Sequence, residues 1–420
     1  MIVRLAIKSL RNRKLTVALT IISIALAVVL LLGVERMRNQ ARESFASTIS
    51  GTDLIVGARS SPVHLLLYSV FRLGNPTNNV RWESFRAFAD RPQVAWAIPI
   101  SLGDSHRGFR VLGTTSAYFE HFRFAHQRKL ELKSGTSFQD TQDAVIGVSI
   151  ADTLGYRTGD AIVIAHGMGD VSFALHQERP FRVAGVLART GTPVDRTVHV
   201  TLQALDAVHN RTQNADPLAA ALQAQQHAHG DVDGDTQRSI SAFLLGLKSR
   251  GAALSMQRAV NEYAGEPLTA ILPGPTLQEL WDIVGVAENA LIAVSALVVV
   301  VGLSGMLVAL LTGLSERRRE MAILRSVGAR PMHIFGLMLG EAAVLTLCGV
   351  ALGLAMLYSA LLGVKPYLES RLGLLLGLGL PSAHEFALIM LVTGAGVLIG
   401  FIPAYRIYRY SLADGMTIRI

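Results

Sequence analysis

The sequence predicts a membrane α-helical protein with four transmembrane helices and an α+β extracytoplasmic domain inserted between the first and second spans. Three observations predict it. Four runs are apolar for about 20 residues or more, which is what a helix needs to cross roughly 30 Å of hydrocarbon. Only 17% of the 420 residues are charged and 50% are hydrophobic, whereas roughly a quarter of a soluble domain is charged. Between the first two apolar runs, residues 35–288 turn polar and read as short strands and helices.

The elements follow in order. Residues 1–14 form a cytoplasmic amphipathic N-terminal segment carrying Arg4, Lys8, Arg11, Arg13 and Lys14 with no acid. Residues 15–34 carry no charge and form the first span. A secretory leader has a shorter apolar core and a small-residue cleavage site, and Glu35-Arg36-Met37-Arg38 offers none, so this segment is expected to remain as a span. Residues 35–47 keep its helical register, and 277–287 enter the second span without a breaker. Both read as stiff helices rising from the bilayer to hold the inserted domain.

Within 35–288, strands are expected at 52–56, 94–102, 108–113, 161–165, 181–187, 197–201, 240–247 and 268–272, joined by Gly and Pro turns. Helices are expected at 116–122, 145–154 and 253–263. Residues 213–237 are rich in Ala, Gln, Asp and Gly and read as an exposed, flexible insertion. The second span covers 289–314, a cytoplasmic segment 315–333, the third span 334–364, a short external loop 365–385, the fourth span 386–407 and a cytoplasmic tail 408–420. The apolar stretch 372–380 is too short to span and Pro381 closes it.

Lys and Arg placement sets the orientation. Arg317, Arg318, Arg319, Arg325 and Arg330 lie between spans two and three, and Arg406, Arg409 and Arg419 follow span four; the 365–385 loop has only Lys365 and Arg371. Both termini and the central segment are therefore expected in the cytoplasm. Tyr405, Tyr408 and Tyr410 fit an interfacial aromatic belt.

The net charge of +8 flanks apolar segments and serves topology. No basic-aromatic groove pattern appears, so nucleic acid is not an expected partner. The single cysteine, Cys348, lies in an apolar run, where a buried small hydrophobe is expected. It excludes an intramolecular disulfide and a Cys-based zinc site. There is no phosphate loop, no H-E-x-x-H and no G-x-S-x-G, so the chain is expected to be non-catalytic.

Three features carry candidate chemistry. His227, His229, Asp231 and Asp233, with Asp235 beyond and His209 before, alternate imidazole and carboxylate as a zinc loop does, or as a polar loop without a ligand does. The run lacks the later Glu of a calcium loop. Glu341 lies about two turns inside span three, and an intramembrane carboxylate is either functional or paired structurally. Gly349/Gly353 and Gly396/Gly400 are G-x-x-x-G pairs that let helices approach closely, within one chain or between two copies.

The run Ser315-Glu316-Arg317-Arg318-Arg319-Glu320-Met321-Ala322-Ile323-Leu324-Arg325-Ser326-Val327-Gly328-Ala329-Arg330-Pro331 begins as a charged amphipathic helix, and Gly328 suits its C-cap. It reads either as a surface offered to a cytosolic partner or as a basic topology loop. It closely resembles the coupling segment of FtsX-like permeases, the MacB and LolC/LolE type of ABC transporter membrane subunit, whose pattern is E-R-x-x-E-[IM]-A-x-L-R-[AS]-x-G-A. The matches are Glu316, Arg317, Glu320, Met321, Ala322, Leu324, Arg325, Gly328 and Ala329. Glu341 sits at an acidic position the family often carries. Pro403-Ala404, Arg406, Arg409 and 412–415 resemble its ending, with Ser411-Leu412 where Pro is usual and Asp414 where Glu is usual. The basic opening of the chain also looks like the family's.

The resemblance implies a multi-pass permease subunit of the bacterial inner membrane that works as a homodimer with cytosolic ABC ATPase subunits. ATP and Mg would be bound by that partner and none by this chain. The coupling segment would carry ATPase motion into the spans, and the rising helices would carry it to the outer domain, where a periplasmic adaptor or binding protein can engage. This is mechanotransmission, serving export or extraction of a lipoprotein, peptide or small hydrophobic molecule. Since the first span begins at residue 15, no fused ATPase domain is expected. The rival readings are a signalling subunit that activates an outer enzyme and a component of a zinc transporter.

Overall fold

A computed structural model describes residues 14–125, 127–166, 180–207, 238–316, 330–372 and 379–409. The chain forms two compact units, one of Arg42–Val284 with Tyr367–Leu375 and one of the remaining residues.

The first unit is a bundle of four helices long and apolar enough to cross a membrane. They are Lys14–Thr48, Pro273–Glu316, Pro331–Leu372, and Ala383–Ile399 with its continuation Phe401–Arg409. The first runs well past residue 34 and the second starts well before 289, because neither edge of the apolar run carries a helix breaker. The fourth has a defined start. Ser382 Oγ accepts from the Glu385 amide at 3.2 Å, and the Glu385 carboxylate accepts from the Ser382 amide at 3.1 Å, a reciprocal cap that satisfies two orphan donors.

Ile24, Val28 and Leu32 of the first helix, Leu303 and Met306 of the second, Ala342, Leu345 and Leu357 of the third and Val392 of the fourth make the bundle core. Large apolar side chains also cover its surface: Leu297, Val301, Leu391 and Leu398 are each more than 60% exposed. That is the mark of a surface solvated by lipid. Cys348 belongs to this surface and is exposed, contrary to the expectation of a buried thiol. Its apolar neighbours in sequence reflect lipid, and lipid-facing and core-facing runs look alike.

The second unit is the inserted α/β domain. An eleven-stranded mixed sheet has a main path in the order Leu268–Ile271, Leu54–Ala58, Ala242–Leu247, Val94–His106, Phe109–Thr114, Thr197–Thr201, Asp143–Ile146, Phe181–Leu187, Leu132–Gly135. Two neighbouring pairs are parallel: Thr197–Thr201 with Phe109–Thr114, and Phe181–Leu187 with Asp143–Ile146. Short helices Pro62–Ser69, Trp82–Ala89, Ala117–His121, Val148–Leu154 and Ala253–Asn261 complete it. Three apolar clusters form its interior, one with Leu65, Tyr68, Ile98 and Tyr118, another with Phe88, Phe243 and Val260, a third with Ile146, Val183 and Val198.

The expected helix over 145–154 is corrected. Residues Asp143–Ile146 are a strand and only Val148–Leu154 is helical. Gly147 separates them, and a Cβ there would lie 2.3 Å from the Asp195 carbonyl, so backbone meets backbone at that point. The expected strand over 240–247 is interrupted at Ser241, whose hydroxyl accepts from the Leu102 amide at 2.9 Å. The helices Pro62–Ser69 and Trp82–Ala89 are additions that the sequence did not announce.

Candidate functional site

Several sequence candidates fall outside the described residues: Arg317, Glu320, Met321, Leu324, Arg325, Gly328 and Ala329 of the coupling segment, and His227, His229, Asp231 and Asp233 of the zinc candidate. The structure does place the helix ends on either side of residues 317–329. The second membrane helix reaches Glu316 and the third starts at Pro331. Among the described residues no three His, Cys, Asp or Glu side chains are grouped as metal ligands are.

Glu341 is buried at 7% exposure in the third helix. It lines a small cavity of about 20 Å³ with Thr16 and Thr20 of the first helix, Leu310 and Gly313 of the second, and Met338 and Leu345 of its own. Thr20 turns its hydroxyl back to the Thr16 carbonyl at 2.8 Å. A carboxylate in hydrocarbon is costly unless other polar groups face it. Here it lies where three helices meet.

The glycines make the helix contacts. A Cβ on Gly349 would lie 2.7 Å from Ile24, and one on Gly353 2.8 Å from the Ala25 carbonyl. On the fourth helix, a Cβ on Gly396 would lie 2.4 Å from Thr346 and one on Gly400 2.5 Å from Ala342. Both pairs thus face helices of the same chain. Without a hydrophobic drive between helices in lipid, such close backbone approach supplies much of the attraction.

A polar knot that the sequence reading missed lies where the first helix leaves its apolar run. Glu35 is buried and accepts from Arg38 at 2.8 Å and Asn39 at 2.9 Å, with His384 Nε2 at 3.6 Å. Arg36 donates to the Gly379 carbonyl and its guanidinium sits 5.1 Å from the Tyr358 ring centre. Tyr358 donates to the same carbonyl at 3.1 Å. Three membrane helices are thereby tied at one level. The available signal was the Glu35-Arg36 pair directly after an uncharged span.

In the inserted domain the roots of the two rising helices pack together. Phe45 lies 4.4 Å from Phe71 and 5.6 Å from Trp281 between ring centres, and the Arg42 guanidinium lies over Trp281 at 5.4 Å. Phe71 belongs to the Leu65–Tyr118 apolar cluster, and Phe45 and Leu277 pack against it.

Behind them are buried ionisable groups. Burial, reinforced by the nearby Arg72 charge, pushes His199 down to about 3, so it is neutral. Burial raises Asp195 above the usual carboxylate range, although it accepts from the Thr190 and Gly191 amides at 2.8 Å each and from the Thr190 hydroxyl at 2.7 Å. Burial also pushes Asp143 upward. The Gln139 and Asp140 amides, both at 2.9 Å, and Arg182 at 3.1 Å outweigh it, and its acidity ends below the usual range.

A polar cleft of about 270 Å³ opens at the carboxyl ends of the parallel strands Phe109–Thr114 and Thr197–Thr201. Ser116, Gln139, Asp140, Thr141 and Gln203 line it. This is where open parallel sheets place ligand crevices, and the lining sets one carboxylate, Asp140, among neutral hydrogen-bonding groups.

Known families match this architecture in two parts. The family described as MacB-like periplasmic core domain matches residues 15–231, and that described as FtsX-like permease C-terminal matches 292–412. Among curated proteins, the macrolide export ATP-binding/permease protein MacB of Nitrobacter winogradskyi is 26% identical over 98% of this chain and 59% of its own length. That of Azoarcus sp. (strain BH72) is 25% identical over 97% of this chain and 58% of its own. That of Shewanella oneidensis is 35% identical over 30% of this chain and 18% of its own. The chain thus spans about 59% of the length of the relatives it matches end to end. Among solved structures, the periplasmic region of MacB from Actinobacillus actinomycetemcomitans aligns with TM-score 0.34 and 12% identity, covering 56% of this chain and 94% of that one. The extracellular domain of the noncanonic ABC-type transporter YknZ from Gram-positive bacteria aligns with TM-score 0.32 and 13% identity, covering 52% and 99%.

Proposed function

Because the chain belongs to the MacB-like periplasmic core family and carries an FtsX-like permease C-terminal region, we propose that it is the permease part of a mechanotransmission ABC transporter. A cytosolic ABC ATPase binds ATP and Mg and drives it, and the permease itself is non-catalytic. The inserted domain is periplasmic, both termini and residues 317–329 are cytoplasmic, and two copies pair. The cargo is a lipoprotein, peptide or small hydrophobic molecule.

One observation supports this reading above the others: the length of the two helices that lead into the inserted domain. Lys14–Thr48 has 35 residues and Pro273–Glu316 has 44. At about 1.5 Å per residue these are roughly 50 and 65 Å long, against about 30 Å of hydrocarbon. Each therefore carries surplus length beyond the bilayer as unbroken helix, and Phe45 and Leu277 pack that surplus against the domain's apolar interior. Such a helix resists bending, so displacement at one end reaches the other. Glu316, at the end of the second helix, stands where an ATPase would push.

The test is reversal of charge at Glu316 and Arg325. Glu316→Lys with Arg325→Glu is expected to abolish copurification with the ATPase at least tenfold while the permease still inserts. Unchanged copurification, or labelling that finds a cysteine placed at 318 on the periplasmic face, would overturn the reading.

A further inference from the structure

The cleft of about 270 Å³ at the ends of the parallel strands has a topological cause. Successive residues of a strand point to opposite faces of its sheet. In Phe109–Thr114, Leu112 packs in the Leu65–Tyr118 cluster and Val111 in the cluster with Val183 and Val198. Asp143–Ile146 divides the same way, Val145 with Leu112, and Ala144 and Ile146 with Val111. The sheet therefore has two covered faces. Phe109–Thr114 and Thr197–Thr201 lie side by side and end together, with Thr114 opposite Thr201. The chain leaving Thr114 turns to the first face, where Tyr118 is buried, and the chain leaving Thr201 turns to the second, where Leu205 is buried. Adjacent parallel strands whose connections part to opposite faces leave a crevice at their carboxyl ends, the place where open sheets hold ligands.

Hydrogen bonds fix the walls of this crevice. The Gln139 and Asp140 amides donate to the Asp143 carboxylate at 2.9 Å each. The Thr201 hydroxyl donates to the Thr141 carbonyl, and the Thr114 hydroxyl to the Pro99 carbonyl at 2.8 Å. Phe138 packs edge-on against Phe119, 5.0 Å between centres, and gives one apolar wall. Among the described residues, the side chains of Ser116, Gln139 and Gln203 take no part in these bonds; Ser116 stands at a helix start without capping it.

Charge selects the ligand. Asp140 is the one ionisable side chain in the lining. Its Oδ1 accepts from the Thr141 amide at 2.6 Å and the Thr141 hydroxyl at 3.1 Å, which holds the carboxylate in place. Among the described residues no cationic side chain pairs with it. An anionic ligand would be repelled. A bare metal ion needs more carboxylate or imidazole than one group supplies, and the cleft is several times the roughly 30 Å³ of a single water. A protonated amine fits: it brings one positive charge and N–H donors for Asp140, and the amides and hydroxyl beside it take hydrogen-bonding substituents.

We propose that this cleft binds a ligand bearing a protonated amine, with the ammonium on Asp140 and its polar substituents on Ser116, Gln139 and Gln203. An amino sugar and the amino terminus of a peptide share that chemistry. Binding there involves the inserted domain alone and needs no ATPase.

Calorimetric titration of the full chain in lipid nanodiscs tests this with glucosamine and alanyl-alanine, each beside its N-acetylated form. At least one amine is expected to bind, and its acetylated form at least about tenfold more weakly, because acetylation removes the charge and keeps the other groups. Binding of glucosamine alone identifies an amino sugar, binding of alanyl-alanine alone a peptide terminus, and binding of both the ammonium common to them; each supports the site. Asp140→Asn should weaken binding by a similar factor, while its amide oxygen still accepts from Thr141. Gln203→Ala, on the Thr197–Thr201 side of the cleft, should weaken it severalfold and decides the matter if Asp140→Asn does not fold. Failure of both amines to bind, equal binding of the acetylated forms, or unchanged affinity in the deciding variant overturns the site.

Discussion

The membrane bundle and the inserted domain bury their polar chemistry in opposite ways. In the bundle, close approach is made by glycines: Gly353 stands against the Ala25 carbonyl and Gly396 against Thr346, while large apolar side chains such as Leu297 face outward. In the inserted domain, large aromatic and aliphatic residues fill the interior, with Tyr68, Tyr118, Phe88 and Phe243 fully buried. Ionisable groups are also enclosed there, notably His199, Asp195 and Arg72. The difference follows from solvent. Water drives apolar side chains inward and so stabilises a thick core that can carry buried polar groups. Lipid offers no such drive, so bundle helices associate through fit and a few polar ties.

Four substitutions would break or sharpen this contrast. The largest effect is expected from Phe243→Ala, which removes a fully buried ring that packs against Phe85 at 5.3 Å between centres. It should destabilise the inserted domain by about 3–5 kcal/mol, read by chemical denaturation with a tryptophan signal. Next comes Gly353→Val, which forces side-chain carbon into the Ala25 and Val28 contacts. Overpacking of this kind costs about 1–3 kcal/mol, and unfolding in mixed micelles should report it from the bundle alone.

The third is a pH effect. His199 is depressed from 6.5 to about 3 in the folded chain. Between those values the unfolded state binds the proton and the native state does not, so this histidine's contribution is complete above pH 6.5 and is lost as pH falls toward 3. The slope it adds is at most about 1.4 kcal/mol per pH unit. Asp195, raised by burial, acts in the opposite sense near the carboxylate range. Comparing the native chain with His199→Phe isolates the histidine, and the variant should lose stability less steeply on acidification. The smallest effect is expected from Leu297→Ala, whose side chain is 63% exposed on the bundle surface. A change within about 0.5 kcal/mol supports the contrast, and a loss of several would show that Leu297 is covered by protein.

Legibility in the sequence also differs between the two regions. The spans were readable because a bilayer demands length and apolarity over about 20 consecutive residues. In the inserted domain, the 181–187 and 197–201 strands were readable because apolar or β-branched runs ended at turn residues. The run Ala144-Val145-Ile146-Gly147-Val148-Ser149-Ile150 was not, since it fits a strand or a helix equally well. Pairing of Asp143–Ile146 between two other strands decided it. The Pro62–Ser69 helix is apolar almost throughout and has no period to read.

Of the candidate site, Glu341 and the glycine pairs stood out in sequence because each is anomalous within an apolar run. The Glu35–Arg36–His384 knot did not, because its members are some 350 residues apart, as the 343-residue separation of Arg36 and Gly379 illustrates. The same holds for Tyr118 and His199, whose rings meet at 5.1 Å from two separate elements.

Order along the chain, the four spans and the placement of a large domain between the first two were set by sequence alone, since transfer into lipid depends on local composition. Which glycine meets which helix, which histidine stays neutral and which rings meet in the core were decided only by tertiary structure. Those properties depend on distances between segments far apart in the chain, and local composition carries no record of them.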